Sequence, residues 1–585
     1  MNYDLDKLSE RQQKTSTYKA LRKLLALIAH ERGNLSLALL AIILNTSVNL
    51  FGPFLIGHAI DKYVVTKQFH GLLIFGGILL GMYLVGLFTA YQQTKLMGGV
   101  GQRLLFTLRN AVFDKLQQLP VAFFNQNKAG DLISRVNNDT DKLNQFFSQS
   151  LMQFVGSIFT MLGAGIFLLA INIKLGAASL APAVAILIFT MILSPWVKSA
   201  NAKNLKSTGG LSAEIQESLH NFKVVIAFNR RDYFRQRFQV ANLNNYRTAI
   251  SAGLANNVFM PVYSLFANIA QLAVLTYGIY LISAGEFSVG LLVSYLAYAT
   301  NFYNPLRQLA ALWTNFQVAM AGWDRISQIL SLETDLVALP SATAENGAAL
   351  LEFRDVHFAY DTRAVLHDVN FKLERGKTYA LIGPTGGGKT TTASLIARLY
   401  DPKQGVVLLD GKDIRTYSPE ERSRKIGFIL QEPFLFTGTI RDNILYGNDQ
   451  LADYPNEKLE QVIQSAGLAD ILALFEQGLD TKITGGGEGV SLGQKQLIAF
   501  MRAVLRSPEL LILDEATANI DTVTEKLLSD ILKQLPDATT RVIIAHRLNT
   551  IENADEIFFV NSGEVNRAGS LDDAMNMLLK DKRVS

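Results

Sequence analysis

A chain of 585 residues is too long for one hydrophobic core and predicts about two to four domains. Hydrophobic residues make up 49% of the chain and charged residues only 18%, a balance that is unusual for a soluble protein. The net charge of +4, with no basic run, gives no indication of a nucleic-acid surface, and the absence of cysteine excludes disulfides and thiol catalysis.

The first half of the chain contains six long stretches without Asp, Glu, Lys or Arg. A helix needs roughly 20 apolar residues to cross the core of a bilayer. The stretches are Leu35–Ile60, Gly71–Thr94, Leu143–Ile173, Leu175–Val197, Thr248–Gly285 and Phe287–Leu306. The sequence therefore predicts six transmembrane helices.

Basic residues are unevenly divided between the loops that join these stretches. The loops on one side offer only Lys62, Lys67 and Lys174. The two long loops on the other side are rich in lysine and arginine: Lys95, Arg103, Arg109, Lys115, Lys128, Arg135 and Lys142 in the first, and Lys198, Lys203, Lys206, Lys223, Arg230, Arg231, Arg235, Arg237 and Arg247 in the second. The positive-inside rule predicts a multi-pass protein of the plasma or inner membrane, with both long loops and both termini in the cytoplasm.

Both long loops are rich in helix-forming residues and poor in Pro and Gly, so we expect the membrane helices to continue through them. After the last apolar stretch, residues 336–349 have the composition of a linker. From Leu350 onward, short β-rich runs alternate with amphipathic helices, which is typical of a soluble α/β domain. The predicted domains are a membrane domain at 1–335, the linker and an α/β domain at 350–585.

Residues 383–390 of the α/β domain read GPTGGGKT, the pattern of a phosphate-binding loop. The loop follows a strand-like run, 377–382, and precedes a helical run, 391–396. In this context, backbone N–H groups and a helix N-terminus can point at phosphates. Lys389 is then expected to meet the β- and γ-phosphates, and Thr390 to supply a Mg²⁺ ligand.

A second candidate site follows the apolar run 510–513, which reads as a buried parallel strand and ends in Asp514 and Glu515. Carboxylates at the C-terminal end of such a strand lie at the ligand-binding edge of the sheet. Asp514 can hold Mg²⁺ there, and Glu515 can polarise a water aimed at the γ-phosphate. An isolated Asp-Glu pair would more often be a solvated strand end, but the phosphate-binding loop in the same domain favours catalysis.

In these motifs the chain resembles the ATP-binding cassette exporters over nearly its whole length. Tyr360 matches the aromatic residue that stacks on adenine, Gln431 the glutamine that senses Mg²⁺, and His546 the histidine that contacts the γ-phosphate. The run Ser491-Leu492-Gly493-Gln494 matches the signature motif that faces a partner's ATP. The resemblance implies an exporter-type fold with six membrane helices and an α/β nucleotide-binding domain.

The resemblance also implies the site residues. Glu515, His546 and Gln431 would act in catalysis, and Thr390, Gln431 and Asp514 would bind Mg²⁺. The residues expected to bind ATP are Tyr360, Gly383, Pro384, Thr385, Gly386, Gly387, Gly388, Lys389, Thr390, Thr391, Ser491, Gly493 and Gln494. In the first long loop, the run from Leu119 to Arg135 resembles the loop whose tip helix docks on the nucleotide domain.

Two departures from the family pattern concern the signature. Leu492 stands where most members have glycine, and 485–487 is a glycine run where a glutamate is expected. An altered signature beside an intact Glu515 resembles one half of an asymmetric heterodimer, and a homodimer that tolerates Leu492 is the alternative.

The sequence thus predicts a half-transporter that uses ATP and Mg²⁺ and pairs with a second half. Its expected function is export or flipping of hydrophobic or amphipathic small molecules, lipids or peptides. An ATP-gated channel or regulator, and an importer of the same fold, are the alternative functions.

Overall fold

The computed structural model describes residues 3–5, 7, 31–334, 336–340, 345, 349–360, 363–487, 489–514, 522–544, 554–569, 572–574 and 576–577. The chain divides into two compact units. The membrane unit comprises residues 12–116 and 130–331, and the nucleotide unit comprises residues 1–11, 117–129 and 332–585. The tip of the first long loop therefore belongs to the nucleotide unit, whereas the predicted domain limits at 335 and 350 stay a prediction.

Long helices dominate the first part of the chain. Their bounds are α1 Arg32–Ala59, α2 Phe69–Gln117, α3 Val121–Gln126, α4 Ala129–Ser134, α5 Thr140–Gln145, α6 Leu151–Ile171, α7 Ile173–His220, α8 Phe222–Ala227, α9 Arg231–Asn257, α10 Phe259–Ser283 and α11 Val289–Leu330. Short π-helical turns at Ile60–Val64, Arg135–Asp139 and Phe146–Ser150 continue α1, α4 and α5.

Five helical stretches of the described residues are long and apolar enough to cross a membrane. They are Arg32–Val64, Phe69–Gln117, Ala129–Ile171, Ile173–His220 and Arg231–Ser283. Residues 289–306 of the sixth predicted span lie in α11, a continuous helix of 42 residues that is not among these five stretches. At 1.5 Å per residue, α2 and α7 are each about 70 Å long, more than twice the bilayer core. The expected continuation of membrane helices into the long loops is therefore present.

Helices α1 and α11 are joined by hydrogen bonds along their length. At one end, the Asp61 carboxylate accepts from the Ser288 hydroxyl at 2.5 Å and from the Gly290 N–H at 2.7 Å, which satisfies the N-terminus of α11. Further along, the Tyr298 hydroxyl donates to the Leu50 carbonyl at 2.6 Å. Such bonds hold helices together in a bilayer, where burial of apolar side chains between helices gains little over lipid contact.

The nucleotide unit contains most of the sheet structure. Its strands are β1 Leu351–Ala359, β2 Ala364–Leu373, β3 Thr378–Ile382, β4 Gln404–Leu409, β5 Lys412–Asp413, β6 Ile426–Ile429, β7 Gly438–Thr439, β8 Lys482–Ile483, β9 Leu510–Asp514, β10 Thr540–Ile544, β11 Glu556–Asn561 and β12 Glu564–Arg567. Its further helices are α12 Lys389–Ile396, α13 Pro419–Lys425, α14 Ile440–Ile444, α15 Asn456–Ser465, α16 Ala469–Leu472, α17 Leu492–Val504 and α18 Thr522–Gln534.

Six strands form the central sheet, in the order β12-β11-β3-β10-β9-β6. Strands β11, β3, β10, β9 and β6 are parallel, and β12 is antiparallel at the edge. A second, antiparallel sheet has the order β2-β1-β4-β5. Since the strand β3 precedes the phosphate-binding loop and lies inside the parallel sheet, that loop begins at the edge where parallel α/β sheets bind their ligands.

The Glu352 carboxylate on β1 is 6% exposed and is paired on both sides. It accepts from Arg354 Nε at 2.8 Å and forms an ion pair with Lys372 Nζ at 3.0 Å. The hydrogen bonds from Arg354 hold the pKa of the Glu352 carboxyl below its usual value, against the opposing effect of burial. This lowered pKa links the stability of the antiparallel sheet to pH.

Candidate nucleotide site

The phosphate-binding loop requires glycine at two positions. Gly383 has φ +144°, and a Cβ there would lie 2.0 Å from the Val560 carbonyl oxygen on β11. Gly388 has φ +116° and forms the N-cap of α12. These backbone conformations disfavour other residues. They let the loop pass close to β11 and then turn into the helix, so that the N-terminus of α12 lies directly behind the loop.

Lys389 and Thr390 are the first two residues of α12. Lys389 is 5% exposed, and its Nζ donates to the carbonyls of Gly383 at 2.9 Å and Pro384 at 3.0 Å. The ammonium therefore lies inside the curve of the loop. The exposed Thr390 donates its hydroxyl to Asp514 Oδ1 at 3.2 Å.

Asp514 is the last residue of β9 and is 2% exposed. The structure thus brings together the loop and the acidic strand end, which are separated by more than a hundred residues in the sequence. Gln431 follows β6, the neighbour of β9 in the sheet, and its side chain is exposed. Glu515 and His546, expected to act in catalysis, lie outside the described residues.

Tyr360 lies beside the N-terminus of α12, as expected of an aromatic residue near the nucleotide. Its hydroxyl is 3.1 Å from Thr391 Oγ1, and its side chain is 43% exposed, so the ring is accessible to a ligand. Its ring meets Phe358 and Tyr400 edge to face, at centroid distances of 4.9 and 5.1 Å. These two contacts fix the orientation of the Tyr360 ring, so an adenine base could stack on it with little rearrangement of the side chain.

Tyr400 is a residue of this site that the sequence reasoning missed. Besides packing on Tyr360, its hydroxyl accepts from Asn125 Nδ2 at 2.8 Å. Asn125 lies on α3, the helix at the tip of the first long loop. A contact between a loop near residue 125 and an aromatic residue near 400 has no signal in a single sequence. It places the tip helix one side chain away from Tyr360.

The signature motif forms the start of α17. Ser491 is the N-cap: its hydroxyl accepts from the Gln494 N–H at 3.2 Å, and its own N–H donates to Gln494 Oε1 at 3.0 Å. Such a capping box satisfies two of the helix's free N–H groups. Leu492 begins the helix with its side chain 40% exposed, and Gly493 is buried. Leu492 is not among the residues with positive φ, so its side chain causes no left-handed backbone strain.

The phosphate-binding helix and the signature helix pack on opposite faces of the parallel sheet. Ala393 and Leu395 of α12 share a core with Leu510 and Ile512 of β9. The signature helix α17 packs in a different core, with Leu511 and Leu513. Since successive residues of a strand point to opposite faces, the two helices lie on different sides of β9. The signature of one chain is thus placed apart from its own phosphate-binding loop.

Taken together, the sheet, the loop and the Thr390–Asp514 pair define a P-loop nucleotide-binding unit in a chain with several membrane-spanning helices. Comparison with known proteins specifies the family. Residues 35–306 match the model of the ABC transporter transmembrane region, and residues 366–518 match the model described as ABC transporter.

Relatives align over almost the full chain. The uncharacterized ABC transporter ATP-binding protein YfiC of Bacillus subtilis is 33% identical over 96% of this chain and 93% of its own length. The fatty acid ABC transporter ATP-binding/permease protein of Mycobacterium tuberculosis is 32% identical over 84% of this chain and 77% of its own. The ATP-dependent lipid A-core flippase of Syntrophus aciditrophicus is 29% identical over 94% and 91%. The chain belongs to the ABC transporters, as a half-size exporter whose ATP hydrolysis is coupled to transport.

Proposed function

We propose that this chain exports or flips hydrophobic or amphipathic molecules across the cytoplasmic membrane, as one half of a heterodimer with cytoplasmic nucleotide units. Membership of the ABC exporters establishes ATP-driven transport and action as a dimer. The substrate class, the orientation and the unlike partner belong to the proposal.

The observation that carries the ATP-driven part of the proposal is the pairing of Thr390 with Asp514 beside the phosphate-binding loop. One hydroxyl and one carboxylate, 3.2 Å apart, are hard oxygen ligands of the kind that Mg²⁺ takes alongside nucleotide phosphates. The donor set therefore fits Mg²⁺, which when bound would neutralise charge on the β- and γ-phosphates. Lys389 adds a positive charge inside the loop, and Tyr360 offers its ring to adenine.

The remaining catalytic roles follow from the family resemblance. Glu515 would orient and polarise the attacking water, His546 would contact the γ-phosphate, and Gln431 would sense Mg²⁺. The chemistry is in-line attack of water on the γ-phosphate, which releases ADP and phosphate. Positioning and charge stabilisation supply most of the catalysis in such reactions.

A partner chain is needed because the signature helix packs across the sheet from its own phosphate-binding helix. In a dimer, Ser491 and Gly493 would instead face the partner's nucleotide. Leu492 adds an exposed isobutyl group where backbone must approach a phosphate closely, so the partner's site would hydrolyse poorly. The site formed by this chain's own Lys389, Asp514 and Glu515 would be the better one, completed by the partner's signature.

An amphipathic substrate is supported by the uncharged membrane stretches. Helical segments without charge provide no partner for a strongly ionic ligand within the bilayer. Two of the relatives carry names that refer to fatty acids and to lipid A; both molecules have long apolar chains, which supports the apolar part of such a substrate but not the charge of its head group.

Transport into vesicles tests the proposal. The chain and its partner are reconstituted in phosphatidylcholine vesicles with a trace of a fluorescent, acyl-labelled glycosyl diacylglycerol, whose head group is uncharged, and ATP is added outside. We expect ATP to move the probe out of the leaflet that faces the nucleotide units and into the opposite leaflet. The Lys389→Ala variant should not move the probe. A steady conductance opened by ATP would favour a channel instead, and movement in the opposite direction would favour an importer.

A further inference from the structure

A cavity of about 530 Å³ lies within the membrane unit, between α1, α2, α6 and α11. Its volume is in the range of sites that hold small ligands. Its lining is rich in neutral hydrogen-bonding groups: Asn49, Thr160, Thr300, Asn301, Asn304 and Gln308. All of the lining falls in the described range 31–334 and contains no charged side chain. Arg307, the residue before Gln308, is exposed and does not line the cavity.

Two prolines in the lining add hydrogen-bond acceptors. Pro53 lies inside α1 and Pro305 inside α11. A proline has no N–H, so each releases the carbonyl four residues earlier from the helical pattern. Those carbonyls belong to Asn49 and Asn301, which both line the same cavity. The Asn49 carbonyl accepts a long hydrogen bond of 3.5 Å from Asn301 Nδ2. This bond links α1 and α11 at the positions where the two prolines interrupt their helical hydrogen bonding.

The amides farther along α11 are available to a ligand. Asn304 and Gln308 are exposed, and within the described residues their side chains have no protein hydrogen-bond partner. Asn304 lies near the end of the sixth predicted span, where an amide is costly against lipid tails and generally faces protein, water or a bound molecule. Ile56, Val293 and the ring of Tyr83 supply apolar surface in the same cavity. The lining therefore matches a molecule with an apolar chain and a neutral polar head.

We propose that this cavity binds the transported molecule, and that its amides and released carbonyls select an uncharged head group with hydroxyl or amide N–H donors. The inference rests on the proposed export function and names the substrate class. A carboxylate or phosphate would lose its hydration without gaining a cation, and an ammonium group would gain no anion. Hydroxyls can both donate to the carbonyls and accept from the amides of Asn304 and Gln308.

Three probes with the same twelve-carbon chain test the selectivity: monolauroylglycerol, laurate and dodecyltrimethylammonium. We measure the half-maximal concentration for stimulating ATP hydrolysis by the assembled transporter in phosphatidylcholine nanodiscs at pH 8. We expect the neutral probe to be more potent than either ion by about tenfold, near the upper end of the net contribution of one hydrogen bond between neutral groups. A photoreactive monolauroylglycerol should label α11.

Charge substitutions test the named residues. Asn304→Asp should increase the potency of the trimethylammonium probe about tenfold by charge attraction. Asn304→Lys should increase the potency of laurate about tenfold, because the lysine can donate a charge-assisted hydrogen bond to its carboxylate. Gln308→Glu is a second variant, should Asn304→Asp not fold. Asn268→Asp is the matched control, since Asn268 is an exposed amide on α10 outside the lining. The control Asn268→Asp should keep the basal ATP hydrolysis of the parent.

The outcomes separate this inference from the proposed function. Equal potency of the three probes, or the same response from Asn304→Asp and Asn268→Asp, would overturn the cavity's selectivity while leaving export intact. A transporter that hydrolyses ATP but neither responds to nor moves any amphiphile would contradict the proposed function itself, and this inference with it.

Discussion

Replacing Tyr360 by alanine removes the aromatic face beside the phosphate-binding helix. The ring is 43% exposed and is held in place by Phe358 and Tyr400. Stacking of a base on an aromatic side chain contributes about 1–3 kcal/mol. We therefore expect Tyr360→Ala to raise the Kd for ATP by about 5- to 160-fold. The maximal rate should change little, because stacking on adenine is equal before and during attack at the γ-phosphate.

The assay uses the full transporter in nanodiscs, with Glu515→Gln introduced into every protein so that bound ATP is retained. Tyr360→Phe should stay within a few-fold of the parent, since it keeps the ring and loses only the hydroxyl contact with Thr391 at 3.1 Å. Tyr446→Ala removes another exposed aromatic ring of the nucleotide unit, 55% exposed, and serves as the matched control. A Kd for Tyr360→Ala equal to that of Tyr446→Ala would refute the stacking role.

Three further predictions concern the same unit. Glu515→Gln should leave the Kd for ATP nearly unchanged and abolish most phosphate release, and undiminished turnover would remove Glu515 from catalysis. Lys389→Ala should weaken ATP binding itself, which equilibrium binding checks against Lys412→Ala, a change outside the loop. Glu352→Gln should lower the Tm by a constant amount from pH 8 to 5.5, because a carboxyl with a lowered pKa stabilises the fold above its unfolded pKa of about 4.3. That difference should shrink as the pH falls below about 4, and a difference that persists at low pH would show that the charge of Glu352 is not its cause.

Much of the architecture could be predicted because its signals are local. The apolar stretches give the membrane spans by length alone, and the loop at 383–390 is recognisable from eight adjacent residues. Asp514 could be placed at the ligand edge because the apolar run before it indicates a buried parallel strand. The structure puts its carboxylate 3.2 Å from Thr390, as that placement implies.

Features that depend on tertiary packing were not predictable in this way. Hydropathy marks only the apolar part of a helix. It therefore could not predict the residues at which α2 and α7 end, because both helices continue through polar sequence. The contact between Asn125 and Tyr400 joins residues 275 positions apart. The cavity likewise depends on the register between α1 and α11, which brings two proline-released carbonyls together. A single sequence carries no record of that register.

The most direct test of the account is the ATPase activity of Ser491→Ala, because Ser491 caps the helix that is packed away from its own phosphate-binding loop. With an unlike partner, this signature lines the poorer site. Ser491→Ala should then reduce turnover of the assembled transporter only modestly, while the equivalent change in the partner should nearly abolish it. A dimer of this chain alone with robust ATP hydrolysis, lost completely on Ser491→Ala, would contradict the heterodimer and show that Ser491 serves both sites.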